Sequence, residues 1–221
     1  MQITLLPYER QALEALEQMF ALERDLVIRL AESMNTLASL FDEVACSSNI
    51  QFAEGRVVLV GLVNHAHHML SGGLQALHVG NGPVWSCCVR ALMETYGACV
   101  MISECPGNTP NHLKHIKAGK LRAAAERGNP GLKNDIHRLD QIVHPASGAI
   151  YAGFRPSDLD AHCAHAQFGL RAPSLEEGHE AVVVLANIAS LIVEKLKSLA
   201  NRSDILTQGK LVMNRVDGKP V

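Results

Sequence analysis

VVLVGLVNHAHHMLSGGLQALHVGNGPVWSCCVRALMETYGACVMIS, residues 57–103, decides the fold. Only Arg90 and Glu94 carry a formal charge in these 47 positions. The run is interrupted once, at Gly80-Asn81-Gly82, and Pro83 stands where proline is favoured, at the first position of a new helix. It reads as an apolar helical hairpin. One helix is expected from near Gly55 to Val79, weakened at Gly72-Gly73, and a second from Pro83 to Ser103. Arg90 and Glu94 are four residues apart, so a helix brings their heads together on one face. Burying two charges costs several kcal/mol per ion before their attraction offsets it, so this pair has a reason beyond stability alone. It either locks helix register or serves chemistry. The hairpin also holds His65, His67, His68 and His78, four of the eleven histidines.

Before the hairpin, Leu13, Leu16, Phe20, Glu23, Val27, Leu30, Met34, Leu37, Phe41 and Val44 alternate steps of three and four, a heptad seam broken only at Glu23. The spacing predicts a single helix from about Pro7 to Val44, some ~55 Å long at 1.5 Å per residue, whose far end would pack on another subunit. After the hairpin, Pro106-Gly107-Asn108 breaks the chain and Thr109 is placed to cap a fourth helix reaching Arg127. Gly128-Asn129-Pro130-Gly131 is a turn, and a shorter helix follows from Leu132 to about Val143. The stretch 146–156 reads as loop with a short strand at Ile150-Tyr151, and 158–170 as weakly helical. Ser174-Leu175-Glu176-Glu177 is a capping box opening a last helix to Leu199. The sum is an all-α protein, a helical bundle of four long helices plus one or two short ones, in a single domain over 1–202 with a C-terminal tail over 203–221. Within that tail Asp217-Gly218 suits a hairpin turn.

Composition agrees with this class. The chain is 48% hydrophobic and 19% charged but only 4% aromatic, with Trp85 the sole tryptophan, a palette for helix packing rather than a β-sandwich. The net charge of −2 selects neither nucleic acid nor membrane through a global field. The distribution is uneven: residues 1–56 carry nine acids and four bases, and 104–156 carry four acids and eight bases, −5 against +4. Cys46, Cys87, Cys88, Cys99, Cys105 and Cys163 lie mostly in apolar helical sequence and are expected as reduced thiols. The opening MQITLLPYER lacks the basic and apolar regions of an export signal, so a cytoplasmic location and no membrane partner are expected.

Chemistry concentrates in LKNDIHRLDQIVH, 132–144. Leu132, Ile136, Leu139 and Val143 form its apolar stripe. His137, Asp140, Gln141 and His144 form a polar stripe about 120° round the helix. Asp140 precedes His144 by four, close enough to accept its N–H and fix the imidazole's tautomer. A polar side facing water is the other reading of that stripe. His65 and His68, at i and i+3, together with Glu94, form an alternative ligand set for a metal in the bundle core. Lys114, Lys117, Lys120, Arg122 and Arg127 make the fourth helix basic, either solvated or RNA-facing.

The arginine-to-histidine spacing of Arg138 and His144, with RALMETYG at 90–97 and IVHPAS at 142–147, resembles the HEPN superfamily of all-α proteins, loosely and over about 57–147. That resemblance implies a metal-independent endoribonuclease without cofactor, in a toxin–antitoxin or defence setting. His144 would be the base toward a ribose 2′-OH, with Arg138 on the scissile phosphate, Asp140 and His137 beside them, and the motifs meeting across a homodimer. Leu139 stands where a small polar residue commonly follows the arginine, which keeps a non-catalytic relative open. Two other readings stand beside it: a metal- or small-molecule-binding bundle, and a non-catalytic dimerising interaction module using its N-terminal helix as the surface for a protein partner.

Overall fold

In a computed structural model the chain is described over residues 5–45, 51–106, 116–136, 174–209 and 211–213. The expected class is present: an all-α bundle of packed helices, with one minimal strand pair among the described residues. The helices are α1 (Pro7–Met19), α2 (Arg24–Ala45), α3 (Glu54–His78), α4 (Gly82–Glu104), α5 (Ala118–Gly128), α6 (Leu175–Ala200) and the short α7 (Ser203–Leu206).

The apolar hairpin is α3 and α4. Gly80 turns the chain with φ 71°, a conformation that glycine adopts without a steric penalty. Asn81 then caps α4 by accepting a hydrogen bond from the Val84 N–H at 3.2 Å. Gly72-Gly73 does not break α3, which runs through both. The α6 capping box forms as expected: Glu177 N–H donates to Ser174 Oγ at 3.2 Å, and Ser174 N–H donates to Glu177 Oε2 at 2.9 Å. α6 is the spine of the bundle, packing on α2, α3 and α4 through Val182, Leu185, Ile188, Ile192 and Leu196, all buried.

The single N-terminal helix is not found. The chain breaks after Met19, Ala21 takes the left-handed conformation at φ 46°, and α2 begins at Arg24 with the Glu23 carbonyl accepting from Leu26 and Val27. The interruption of the seam at Glu23 marks this boundary. Within α2 most of the seam is kept: Leu30, Met34, Leu37 and Val44 are buried as the spacing expects, Leu26 and Leu40 join them, and of the seam positions Phe41 is left exposed. α1 folds back onto α3, and α2 spans about 33 Å at 1.5 Å per residue, so helix length no longer calls for a second subunit.

The fourth helix also starts later than Thr109. Lys117 is extended, at φ −72° and ψ 141°, and α5 begins at Ala118. At its far end Gly131 N–H donates to Asn129 Oδ1 at 3.0 Å, closing the expected turn, and 132–136 is helical. Beyond Asn201 the chain returns to the bundle. Ile205 on α7 is buried, Gly55 N–H donates to the Gln208 carbonyl at 3.0 Å, and strand β1 (Gln51–Ala53) pairs antiparallel with β2 (Leu211–Met213), Phe52 opposite Val212. Among the described residues no helix is long and apolar enough to cross a membrane.

Candidate functional site

The Arg90–Glu94 pair forms, and a third residue joins it. Arg90 Nε donates to Glu94 Oε1 at 3.2 Å, and Arg122 Nη1, from α5, donates to the same oxygen at 3.3 Å. The three side chains are 18%, 23% and 19% exposed, so the cluster is half-buried rather than enclosed in the hairpin core. A second bridge, Arg127 Nη2 to Glu104 Oε2 at 2.8 Å, ties the other end of α5 to α4, and that carboxylate holds the Arg127 guanidinium above its ordinary pKa.

Small residues make this approach possible. A β-carbon on Gly97 would run into the Leu121 carbonyl, and Ala124 and Ala125 are fully buried against α4. Gly119, Arg122, Ala123 and Glu126 fall at i, i+3, i+4 and i+7, one face of α5. That face and the short helical stretch 132–136, with Lys133, Asn134 and Ile136, line a groove of about 480 Å³. A smaller cavity of about 240 Å³ lies between the ends of α2 and α6, beside Glu43 and Lys197.

His137, Arg138, Asp140 and His144 lie outside the described residues, as do Thr109, the 146–170 stretch and Asp217-Gly218. The first two positions of their apolar stripe are described, and both Leu132 and Ile136 are buried. The alternative metal set is not assembled. His65 and His68 are exposed on α3, Glu94 is engaged by two arginines, and no three His, Cys, Asp or Glu side chains gather among the described residues. A pair at i, i+3 shares a face, but nothing in that spacing turns the face toward Glu94.

One polar residue was illegible in the sequence. Glu9 is 2% exposed; its Oε2 accepts from the Leu6 N–H at 3.0 Å, and its Oε1 faces His67 Nε2 at 3.6 Å without a hydrogen bond. The carboxylate caps α1 and the imidazole belongs to α3, so only the docking of α1 on α3 brings them together. Arg122 was legible merely as one of several bases, since its partner lies 28 residues away.

The cysteines divide by exposure. Cys87, Cys88, Cys99 and Cys105 are free, Cys88 and Cys99 buried and the other two exposed. Burial first, then the neighbouring Cys87, pushes the Cys88 thiol up, and burial pushes Cys99 up to about 12. At Cys99 burial outweighs the opposing pull of the Lys195 cation, so this thiol stays protonated at neutral pH and is a poor nucleophile. Comparison of the chain with family models, with curated proteins and with solved structures finds no match.

Proposed function

We propose that the chain is a HEPN-like cytoplasmic protein that engages RNA and cuts it without metal, as a homodimer, in a toxin–antitoxin or defence setting. His144 takes the proton from a ribose 2′-OH, and the oxygen attacks the adjacent phosphorus. The P–O5′ bond breaks, the leaving 5′ oxygen takes up a proton, and a 2′,3′-cyclic phosphate remains. Arg138 offers a planar, permanently charged fork to the phosphate as its charge develops. Asp140 orients the His144 ring, and His137 shares its stripe.

The observation that carries this reading is the phase of the stripe. Leu132 and Ile136 are 6% and 5% exposed. On the 3.6-residue repeat of the sequence, His137, Asp140 and His144 fall outside the apolar stripe that Leu132 and Ile136 begin, which supports a polar site there. Incubation of purified protein with unstructured RNA in EDTA tests it: cleavage by the wild type, reduced at least ~100-fold by His144→Ala and by Arg138→Ala, is expected. RNA retained without cleavage would favour the dimerising module. Cleavage that survives His144→Ala would remove the base assigned here.

A further inference from the structure

We propose that the end of the bundle formed by the α1–α2 break, the α3–α4 turn and the start of α6 is a docking surface for a cationic amphipathic helix of another protein. This surface shares no residue with the RNA-cutting site proposed above.

Packing brings five helix termini to this end. At Gly73 on α3, the side chains of Leu185 on α6 and Cys88 on α4 come within 3.3 and 3.5 Å of where a β-carbon would stand. From that level Val79 lies about 9 Å onward along α3, Val84 about 6 Å back along α4 and Gly178 about 10 Å back along α6, at 1.5 Å per residue. The Phe20 ring fills the space where a β-carbon on Gly178 would stand, which sets the α1–α2 break at the same end. The opposite termini of α3, α4 and α6 gather at the far end, where Arg202 Nη1 donates to the Ser103 carbonyl at 3.4 Å and Gly55 N–H donates to Gln208. At the near end Met19, Val79, Val84 and Leu175 are between 44% and 60% exposed, four of the nine large apolar side chains exposed among the described residues. One such side chain alone is ordinary on a surface, whereas several at one end mark an interaction site. Charge then selects the occupant. Residues 17–25, 78–84 and 174–180 hold six acids and one base, Arg24, a formal −5 in a chain whose total is −2. Even with Asp25, Glu176 and Glu177 set against the dipoles of α2 and α6, Glu17, Glu23 and Glu180 outweigh Arg24. Such an end repels nucleic acid, anionic lipid and the same end of a second copy. A helix with an apolar stripe bordered by Lys and Arg satisfies both features, laying the stripe on the four apolar side chains and its basic flanks on the acids.

The test is fluorescence-anisotropy titration of a short labelled Leu/Lys peptide, patterned as an amphipathic helix, with the full chain, beside a Leu/Glu peptide of the same pattern. Val79→Ser with Leu175→Ser removes apolar surface, Glu23→Gln with Glu176→Gln removes charge, and Phe41→Ser with Glu43→Gln, toward the far end of α2, is the control. All of these side chains are exposed, and unchanged melting curves verify that the variants fold. The Leu/Lys peptide is expected to bind about tenfold more tightly than the Leu/Glu peptide, with a loss of about fivefold in each near-end variant and less than about twofold in the control. At saturation, hydrogen exchange should slow at 17–25, 77–84 and 174–178. Binding that is equal in wild type and Val79→Ser with Leu175→Ser, or equal for the two peptides, overturns the docking surface, as does no binding of either. A wild-type sedimentation mass above that of one chain, falling to one chain in Val79→Ser with Leu175→Ser, assigns the surface to a second copy and overturns the foreign helix.

Discussion

Residue 97 on α4 and the carbonyl of Leu121 on α5 approach so closely that only glycine fits at 97. This contact, more than any charge, sets the distance at which Arg122 reaches Glu94 across the same two helices. Gly97→Ala forces backbone from backbone, and an expected loss of about 3 kcal/mol in urea unfolding follows from overpacking without a flexible neighbour. Gly61, in the middle of α3, is the contrast: a β-carbon there meets nothing within 4 Å. Gly61→Ala should stabilise by about 0.5–1 kcal/mol through helix propensity.

The Glu94–Arg122 bridge is worth less than its position suggests. Both side chains keep about a fifth of their surface in water, and the Arg90 contact shares the same oxygen. A double-mutant cycle on Glu94→Gln and Arg122→Gln should return a coupling of about 1 kcal/mol that shrinks at molar salt. A coupling of several kcal/mol, insensitive to salt, would mean a far drier pair.

Glu9 caps α1 from a nearly dry position. Glu9→Ala orphans the Leu6 N–H and removes the group facing His67, so a loss of about 1–2 kcal/mol is expected. Hydrogen exchange should show the amides of α1 opening faster while those of α6 keep their protection.

Burial of Cys99 gives stability an alkaline limit. Its thiol is raised from 9.0 to about 12, so the unfolded chain releases this proton before the folded one does. The contribution is complete below pH 9 and declines between pH 9 and 12, by up to roughly 1.4 kcal/mol per pH unit. Cys99→Ala should flatten that decline. In native protein at neutral pH, iodoacetamide should label Cys87 and Cys105 and spare Cys99, as peptide mapping would show.

Where local chemistry fixes an element, the sequence predicted it. The Gly80–Pro83 turn, the Ser174 capping box and the apolar α3–α4 run each carry their own cause within a few residues. The boundary at Ala21 does not, because Met19-Phe20-Ala21-Leu22 contains neither glycine nor proline and a left-handed alanine is imposed by packing. Only the misfit of Glu23 in the seam betrayed it. The same limit governed the site. Arg90 and Glu94 share a helix and were read as a pair, whereas Arg122, Glu9 opposite His67, and the groove at Lys133 exist only once separate helices dock. His65 and His68 show the converse: a shared face was legible, but not that it points to water.

The most direct test of the RNA assignment is the chemistry of the new 3′ end. Mass spectrometry of a defined oligoribonucleotide, incubated with wild type and with His144→Ala in EDTA, should find 2′,3′-cyclic phosphate termini from the first and intact RNA from the second. The same termini produced by His144→Ala, or an oligomer left whole by the wild type, would contradict the account.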